Sequence, residues 1–444
     1  MPGLSLEQLC ASIVPVPAEA VIATQHELDR KTKPARSLGK LEDLAIQLTA
    51  IRGRRDPLPL DKRIVVMGAD HGVAERGVSA YPQAVTAQMM LNFARGGAAI
   101  NAIARQVGAQ VLVVDMGVRE ELPAHPNLVS RRIAAGTKCF TQGPAMTREQ
   151  AIAAVQVGVE LAGQLAADGA NLLGIGEMGI GNTTSASALA AVLTGAPVEE
   201  VTGRGTGIDE NTLRHKIGVV RRGLQLNRPE RNDPLDVLAK LGGFEIAGLC
   251  GVVLGAAAAR VPVVIDGFIA STAALCAVRF APRVAGYLVA AHRSVEGGHR
   301  MVLQAIGQKP LLDLELRLGE GTGAALAMNL CEASLRVLFE MATFEDAGVS
   351  QRATLTSSRA RSSHPSRCSL SRWRSICCSA SCRHASIPSC GSGAASRCSS
   401  ACCRRAVRVR SCSPERHSQC WCRAHGRPAR RCCSRSSWPG PGSR

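Results

Sequence analysis

The sequence predicts an α/β protein with a doubly wound, mainly parallel sheet flanked by helices. Short runs rich in Val and Ile alternate with longer stretches of helical pattern. The runs are largely apolar rather than alternating, as expected of strands covered on both faces. Glycines and carboxylates gather just after the runs, where open α/β sheets bind ligands.

The opening 60 residues read as a smaller helical segment, with a polar, proline-containing turn at residues 32–37. Strands are expected at 63–69 (RIVVMGA), 110–117 (QVLVVDMG), 171–175 (NLLGI) and 261–266 (VPVVID). Helices are expected at 83–105, 147–165, 185–193, 244–260, 271–278 and 323–344. The second of these opens on Thr147 and Gln150 in capping-box spacing. The chain therefore divides into residues 1–60, an α/β domain at 61–350, and a segment of different composition from 351 to 444.

That last segment carries 19 Arg, no Lys and one acidic residue, Glu415, which accounts for the whole formal charge of +18. Residues 1–350 hold 34 basic and 34 acidic side chains. The tail also contains 13 of the 18 Cys and all three Trp. A nucleic-acid arm would mix Lys with Arg and would not carry pairs such as Cys377-Cys378 and Cys402-Cys403. Cys420-x-Cys422 with His384, His417 and His425 matches no regular zinc or disulfide spacing. Translation of a GC-rich gene in a shifted frame explains the composition best, so the segment is expected to be disordered and dispensable.

Five scattered cysteines in residues 1–350 suit reduced, buried thiols. No charged-then-apolar opening occurs, and no apolar run reaches about 18 residues uninterrupted. A soluble, cytoplasmic protein is expected, with no membrane and no nucleic-acid partner.

Asp70 and His71 follow the first expected strand, Asp115 lies near the end of the second, Glu177 follows the third, and Asp266 closes the fourth. Each could cap the next helix, and for Asp115 alone the cap is preferred. Together with the glycines they point to a hydroxyl-rich ligand. Two runs, GIGEMGIGNTT at 174–184 and LGEGTG at 318–323, set one carboxylate among glycines before a helical stretch. Glycine turns at helix starts cradle phosphate. A carboxylate in the same turn implies acid–base work, so a phosphorylated sugar is the expected substrate class. The first run lacks the Lys of an NTP-binding loop.

The turn TGRGTG at 202–207, followed by Lys216, is either a phosphate clamp or a flexible loop beside a basic helix face. The stretch at 77–89, with Ser79, Tyr81 and Gln88, reads on its residues as a loop with Tyr81 as a core anchor. A flat apolar slot is the other reading. Asp209-Glu210, His292 and His299 form no metal pattern; surface or capping roles are expected for them.

With these residues in hand, positions 20–350 resemble the nicotinate-nucleotide–dimethylbenzimidazole phosphoribosyltransferase family, which builds the lower-ligand nucleotide of cobalamin. The matching runs are KPARSLGKLE (33–42), GADHGVAERGVSAYP (68–82), ARGGAAINAIAR (94–105), GIGEMGIGNTTSASAL (174–189), TGRGTGIDE (202–210), DGFIASTAAL (266–275), AHRSVEGGH (291–299) and LRLGEGTGAALAM (316–328). One departure is Ala35-Arg36, where the family turn usually carries a glycine. The resemblance implies that nicotinate mononucleotide and 5,6-dimethylbenzimidazole are the substrates, with no metal and no cofactor. It implies Glu320 as the base, with Glu177 on the ribose. It assigns the phosphoribosyl group to Gly176, Gly181, Asn182, Thr183, Gly203, Gly205 and Lys216, with Ser294 as a weaker contact. Ser79, Tyr81, Gln88 and Leu318 would form the benzimidazole slot, and a homodimer is expected. A silent benzimidazole- or nucleotide-binding relative is the rival reading; the two intact glutamates argue against it.

Overall fold

A computed structural model describes residues 4–350, so the readings made for the tail after residue 350 lie outside the described residues. The chain opens with three helices, α1 (Leu6–Ser12), α2 (Ala18–Asp29) and α3 (Lys40–Arg52). Strand β1 (Lys62–Ala69) follows, then α4 (Val85–Arg95), α5 (Ala99–Val107), β2 (Ala109–Gly117) and β3 (Leu128–Ser130). Next come α6 (Arg148–Ala167), β4 (Leu172–Met178), α7 (Asn182–Thr194), α8 (Val198–Val201), α9 (Glu210–Asn227), α10 (Pro234–Leu241) and α11 (Phe244–Ala258). The last elements are β5 (Val263–Ile265), α12 (Phe268–Phe280), β6 (Leu288–Ala290), α13 (Gly297–Ala305) and α14 (Thr322–Glu340).

The six strands form one sheet in the order β3-β2-β1-β4-β5-β6, and every neighbouring pair is parallel. The order runs outward from β1 in one direction and from β4 in the other. β1 and β4 therefore flank a switch point, with a crevice beyond their carboxyl ends. The expected doubly wound sheet is present.

The central strands are largely apolar because both faces are covered. Along β1, Val65, Met67 and Ala69 enter one core while Ile64 and Val66 enter the other. All five are at 0 % exposure, and burying each of the four larger side chains is worth about 1.5–3 kcal/mol. Helices α6, α11 and α12 contribute to the first core; α3, α5 and α14 contribute to the second. The opening helices join both, with Leu9 and Ile13 in the first and Leu28, Leu44 and Leu48 in the second. Helices α6 and α11 cross at backbone contact. A Cβ on Gly158 would lie 1.9 Å from the Gly248 oxygen, and one on Gly251 would lie 1.9 Å from that of Val155.

Several expectations change in detail. The single helix at 83–105 is two, α4 and α5, broken at Gly96, which caps α4 at φ 80°. The Gly96-Gly97 pair is the local signal of the break. β4 runs on to Met178, placing Glu177 inside the strand rather than after it. β3 and β6 have three residues each, too short to stand out as runs. The Thr147–Gln150 capping box forms as expected. No helix among the described residues is long and apolar enough to cross a membrane.

Candidate active site at the sheet switch point

Glu177 leaves β4 at the switch point, with its side chain buried. Its Oε2 accepts a hydrogen bond from Asn182 Nδ2, the first residue of α7. A Cβ on Gly319 would lie 2.4 Å from Glu177 Oε1, so the second glycine-rich run lies directly against this carboxyl. Burial, helped by the nearby Asp266, Glu245 and Glu320 carboxylates, pushes the Glu177 carboxyl up to about 8 against the Asn182 hydrogen bond. At neutral pH Glu177 is therefore a protonated, hydrogen-bond-donating acid.

Glu320 sits in the turn that starts α14. Gly319, Glu320 and Gly321 all have positive φ, at 86°, 63° and 90°. Glycine takes this conformation freely; for Glu320 it costs on the order of 1–2 kcal/mol. Such strain persists where surrounding contacts over-determine it. Here they do. Asp266 Oδ2 accepts the Gly321 N–H at 3.1 Å and its Oδ1 accepts the Ala324 N–H at 3.0 Å. Gly176 packs so closely that a Cβ there would lie 2.4 Å from the Glu320 carbonyl. The Glu320 carboxylate reaches the start of α5 and accepts the Ile100 N–H at 3.3 Å. Burial raises its affinity for a proton and the Ile100 N–H opposes that rise. The two glutamates thus sit in unlike environments, one drier and proton-holding, the other held by a helix N-terminus. That is how neighbouring carboxyls acquire different acid–base roles.

The second part of the site gathers around Lys216 of α9. Its side chain is buried, and Nζ donates to Thr183 Oγ1 at 2.8 Å and to the Gly203 carbonyl at 3.3 Å. Burial pulls this amine down to about 8, with Glu296 working against the shift. The Gly205 N–H donates to Glu296 Oε1 at 2.9 Å, while Glu296 Oε2 is buried without a partner. Ser294 Oγ accepts the Glu296 N–H at 3.3 Å. Thr183, Gly203, Gly205, Lys216 and Ser294 are thereby linked at one corner. The two readings of the 202–207 turn resolve toward an ordered turn over a buried lysine.

Ser79 and Tyr81 lie beside that turn. The Ala80 N–H donates to Thr206 Oγ1 at 3.1 Å, and Ser79 Oγ lies 3.4 Å from the same oxygen. Tyr81 is 56 % exposed, which excludes the core-anchor reading, and Leu318 is 58 % exposed. Gln88 is exposed on α4. On the same helix Thr86 Oγ1 accepts the Ile180 N–H at 3.1 Å. Gly181 caps α7 in the left-handed conformation.

Other expected residues have structural duties. Asp115 Oδ1 accepts the Gly117 and Val118 N–H groups and so caps its own loop. Asp70 Oδ2 holds the Arg119 N–H. Asp209 caps α9 through the Thr212 N–H, and Glu210 pairs with Arg204 at the surface. His292 and His299 are not surface residues. His299 is fully buried, with Nε2 2.9 Å from Ser271 Oγ, and burial drives its imidazole down to about 3. His292 Nε2 lies 3.5 Å from Asp266 Oδ1. Among the described residues no group of three or more His, Cys, Asp or Glu is arranged to hold a metal ion.

Sequence reasoning missed Glu245, Glu296 and the Ile100 N–H. Glu245 had a signal: it is the single charged residue of α11, an otherwise apolar helix, and it is fully buried. Glu296 and Ile100 act across the fold and left none.

A doubly wound sheet with a buried lysine, glycine-rich helix starts and two carboxyls at its switch point is the architecture of a sugar-phosphate enzyme. A family model described as phosphoribosyltransferase matches residues 13–349, and the chain belongs to that family. Its relatives identify the branch. The chain is 57 % identical over 347 residues to the nicotinate-nucleotide–dimethylbenzimidazole phosphoribosyltransferase of Chloroflexus aggregans, covering 78 % of this chain and 98 % of that one. It is 54 % identical over 346 residues to the enzyme of the same name from Geobacter sulfurreducens, with the same coverage. The crystal structure of the Thermus thermophilus nicotinate-nucleotide–dimethylbenzimidazole phosphoribosyltransferase superposes with a TM-score of 0.71 at 48 % identity, covering 76 % of this chain and 99 % of that one.

Proposed function

We propose that the protein transfers the phosphoribosyl group of nicotinate mononucleotide to 5,6-dimethylbenzimidazole, giving α-ribazole 5′-phosphate and nicotinate for cobalamin synthesis. Nicotinate departs from a pyridinium, so bond cleavage relieves a positive charge and needs little acid help. No pyrophosphate leaves, so the reaction has no need of a metal clamp. One benzimidazole nitrogen attacks C1′ from the face opposite the nicotinate and inverts it. The ring becomes cationic as that bond forms, and its other nitrogen gives its proton to Glu320. The observation that carries this reading is the Glu320 carboxylate, held in a left-handed turn against the α5 N-terminus beside the proton-holding Glu177.

In this reading Glu177 donates to the ribose oxygens. Lys216, Thr183 and the 203–205 turn take the phosphate, with Ser294, Gly181, Asn182 and Gly176 bordering the sugar. Ser79, Tyr81, Gln88 and Leu318 enclose the flat base, with part of the slot supplied by a second copy in a cytoplasmic homodimer. The enzyme unit is the 61–350 domain with its 1–60 helical segment, and the tail from 351 is dispensable. The test mixes residues 1–350, and separately the full chain, with both substrates and follows nicotinate release and product by chromatography. Equal turnover by the two is expected; nicotinate release from neither overturns the assignment.

A further inference from the structure

His71, just past β1, is fully buried and belongs to no step derived above. Its Nε2 lies 2.6 Å from Glu245 Oε1, and its Nδ1 lies 2.9 Å from Ser185 Oγ. A Ser–His–Glu string is also the layout of a hydrolytic nucleophile with its base. Here all three residues are at 0 % exposure, so no substrate carbonyl reaches Ser185. What surrounds the imidazole is backbone. A Cβ on Gly179 would sit 3.3 Å from His71 Cδ2, and one on Gly181 would sit 3.4 Å from His71 Cβ. From the other side, a Cβ on Gly243 would lie 2.3 Å from His71 Cε1.

In the turn from Gly179 to Gly181, the Gly179 end therefore packs on the His71 ring beside the Ala69 carbonyl, and the Gly181 end packs on the His71 Cβ and Ala74. The ring is anchored to α7 through Ser185 and to α11 through Glu245. That turn carries Glu177 at one end and Asn182 and Thr183 at the other. Asn182 holds Glu177, and Thr183 holds Lys216. We infer that His71, clamped by Glu245 and Ser185, is a positioning residue that sets the β4–α7 turn and thereby the grip on the phosphoribosyl substrate. The inference rests on the phosphoribosyl-transfer reading for its choice of ligand. Its consequence is selective because the ring meets the β4–α7 turn, whereas the connection that carries Ser79 and Tyr81 is held through the His71 carbonyl, which accepts from Gln83 Nε2 at 3.3 Å and survives the substitution.

The test compares wild type, His71→Ala and His71→Gln in steady-state kinetics with each substrate varied, together with amide hydrogen exchange. The expected result for His71→Ala is a rise of about tenfold or more in KM for nicotinate mononucleotide, a benzimidazole KM within about threefold of wild type, and faster exchange concentrated at residues 179–185. Gln at 71 keeps a donor toward Glu245 and should recover most of the loss. Unchanged exchange at 179–185 in His71→Ala, or an equal rise in both its KM values, overturns the inference. If His71→Ala does not fold, Glu245→Gln, which loosens the clamp on His71 Nε2 without opening a cavity, decides through the same two readouts. If the wild type releases no nicotinate, the transfer reading falls, while the exchange comparison still judges the positioning role.

Discussion

The two halves of the site use opposite devices on the same helix. Around Glu177 and Glu320 the chain buries carboxyls beside other carboxyls, which favours a held proton and a responsive base. Around Lys216 it buries a cation beneath a glycine-rich turn and leaves Glu296 as the nearby counter-charge. The halves meet at consecutive residues of α7, since Asn182 reaches toward Glu177 and Thr183 toward Lys216. In the proposed reading, a single helix start therefore registers the chemistry against the phosphate anchor. Proton transfer needs an environment that shifts carboxyls, phosphate binding needs a fixed positive charge, and neither device would serve the other task.

The sharpest way to break this comparison is Glu320→Gln. It should fold normally and keep both KM values within a few-fold while kcat falls by about 10²–10⁴. For the wild type, kcat/KM should fall as pH drops through the Glu320 pKa, which burial raises above the ordinary glutamate value. A variant with near-normal kcat removes Glu320 from the base role.

On the other half, Lys216→Met should raise KM for nicotinate mononucleotide by about 10–100-fold, the worth of a charge-assisted hydrogen bond. The wild-type KM should climb above pH about 8 as the amine loses its proton, and the variant should not show that limb. A KM that climbs equally in the variant would shift the pH effect to Glu177.

Glu177→Gln separates stability from chemistry. The carboxyl ionises near 4.5 in the unfolded chain but holds its proton to about 8 in the fold. Between those values the unfolded state has released a proton that the fold retains, so stability declines as pH rises through the window. The wild type should lose on the order of 4 kcal/mol there, and the Gln variant should lack that slope in thermal melts from pH 5 to 8. Its turnover should also drop, chiefly through sugar positioning.

The smallest effect is expected far from the site. Arg36 sits at φ 61° in the turn before α3, and its guanidinium pairs with Asp43 at the surface. Arg36→Gly should raise stability by up to about 1 kcal/mol, because the strain outweighs an exposed ion pair. A lower melting temperature would show that the pair dominates.

Much of this molecule was legible because its signals are local. RIVVMGA and QVLVVDMG read as buried strands from their own residues, and glycines around Glu177 and Glu320 mark positive-φ turns and close approaches without reference to the rest of the chain. Thr147 and Gln150 announce their helix start within four residues. The three-residue strands β3 and β6 exist because neighbours pair with them, and their own composition carries too little pattern. The break between α4 and α5 was marked by Gly96-Gly97, a turn signal within a stretch otherwise of helical pattern.

The sequence by itself determined the alternation of strands and helices, and which turns could hold a carboxyl among backbone N–H groups. The tertiary structure decided which carboxyl keeps its proton. That depends on the burial of Glu177, with Asp266 and Glu245 standing near it, and on Ile100 donating to Glu320; the same tertiary packing buries Lys216 against Thr183. Those partners are distant in sequence, and electrostatic energy depends on distance and burial, which no local pattern encodes.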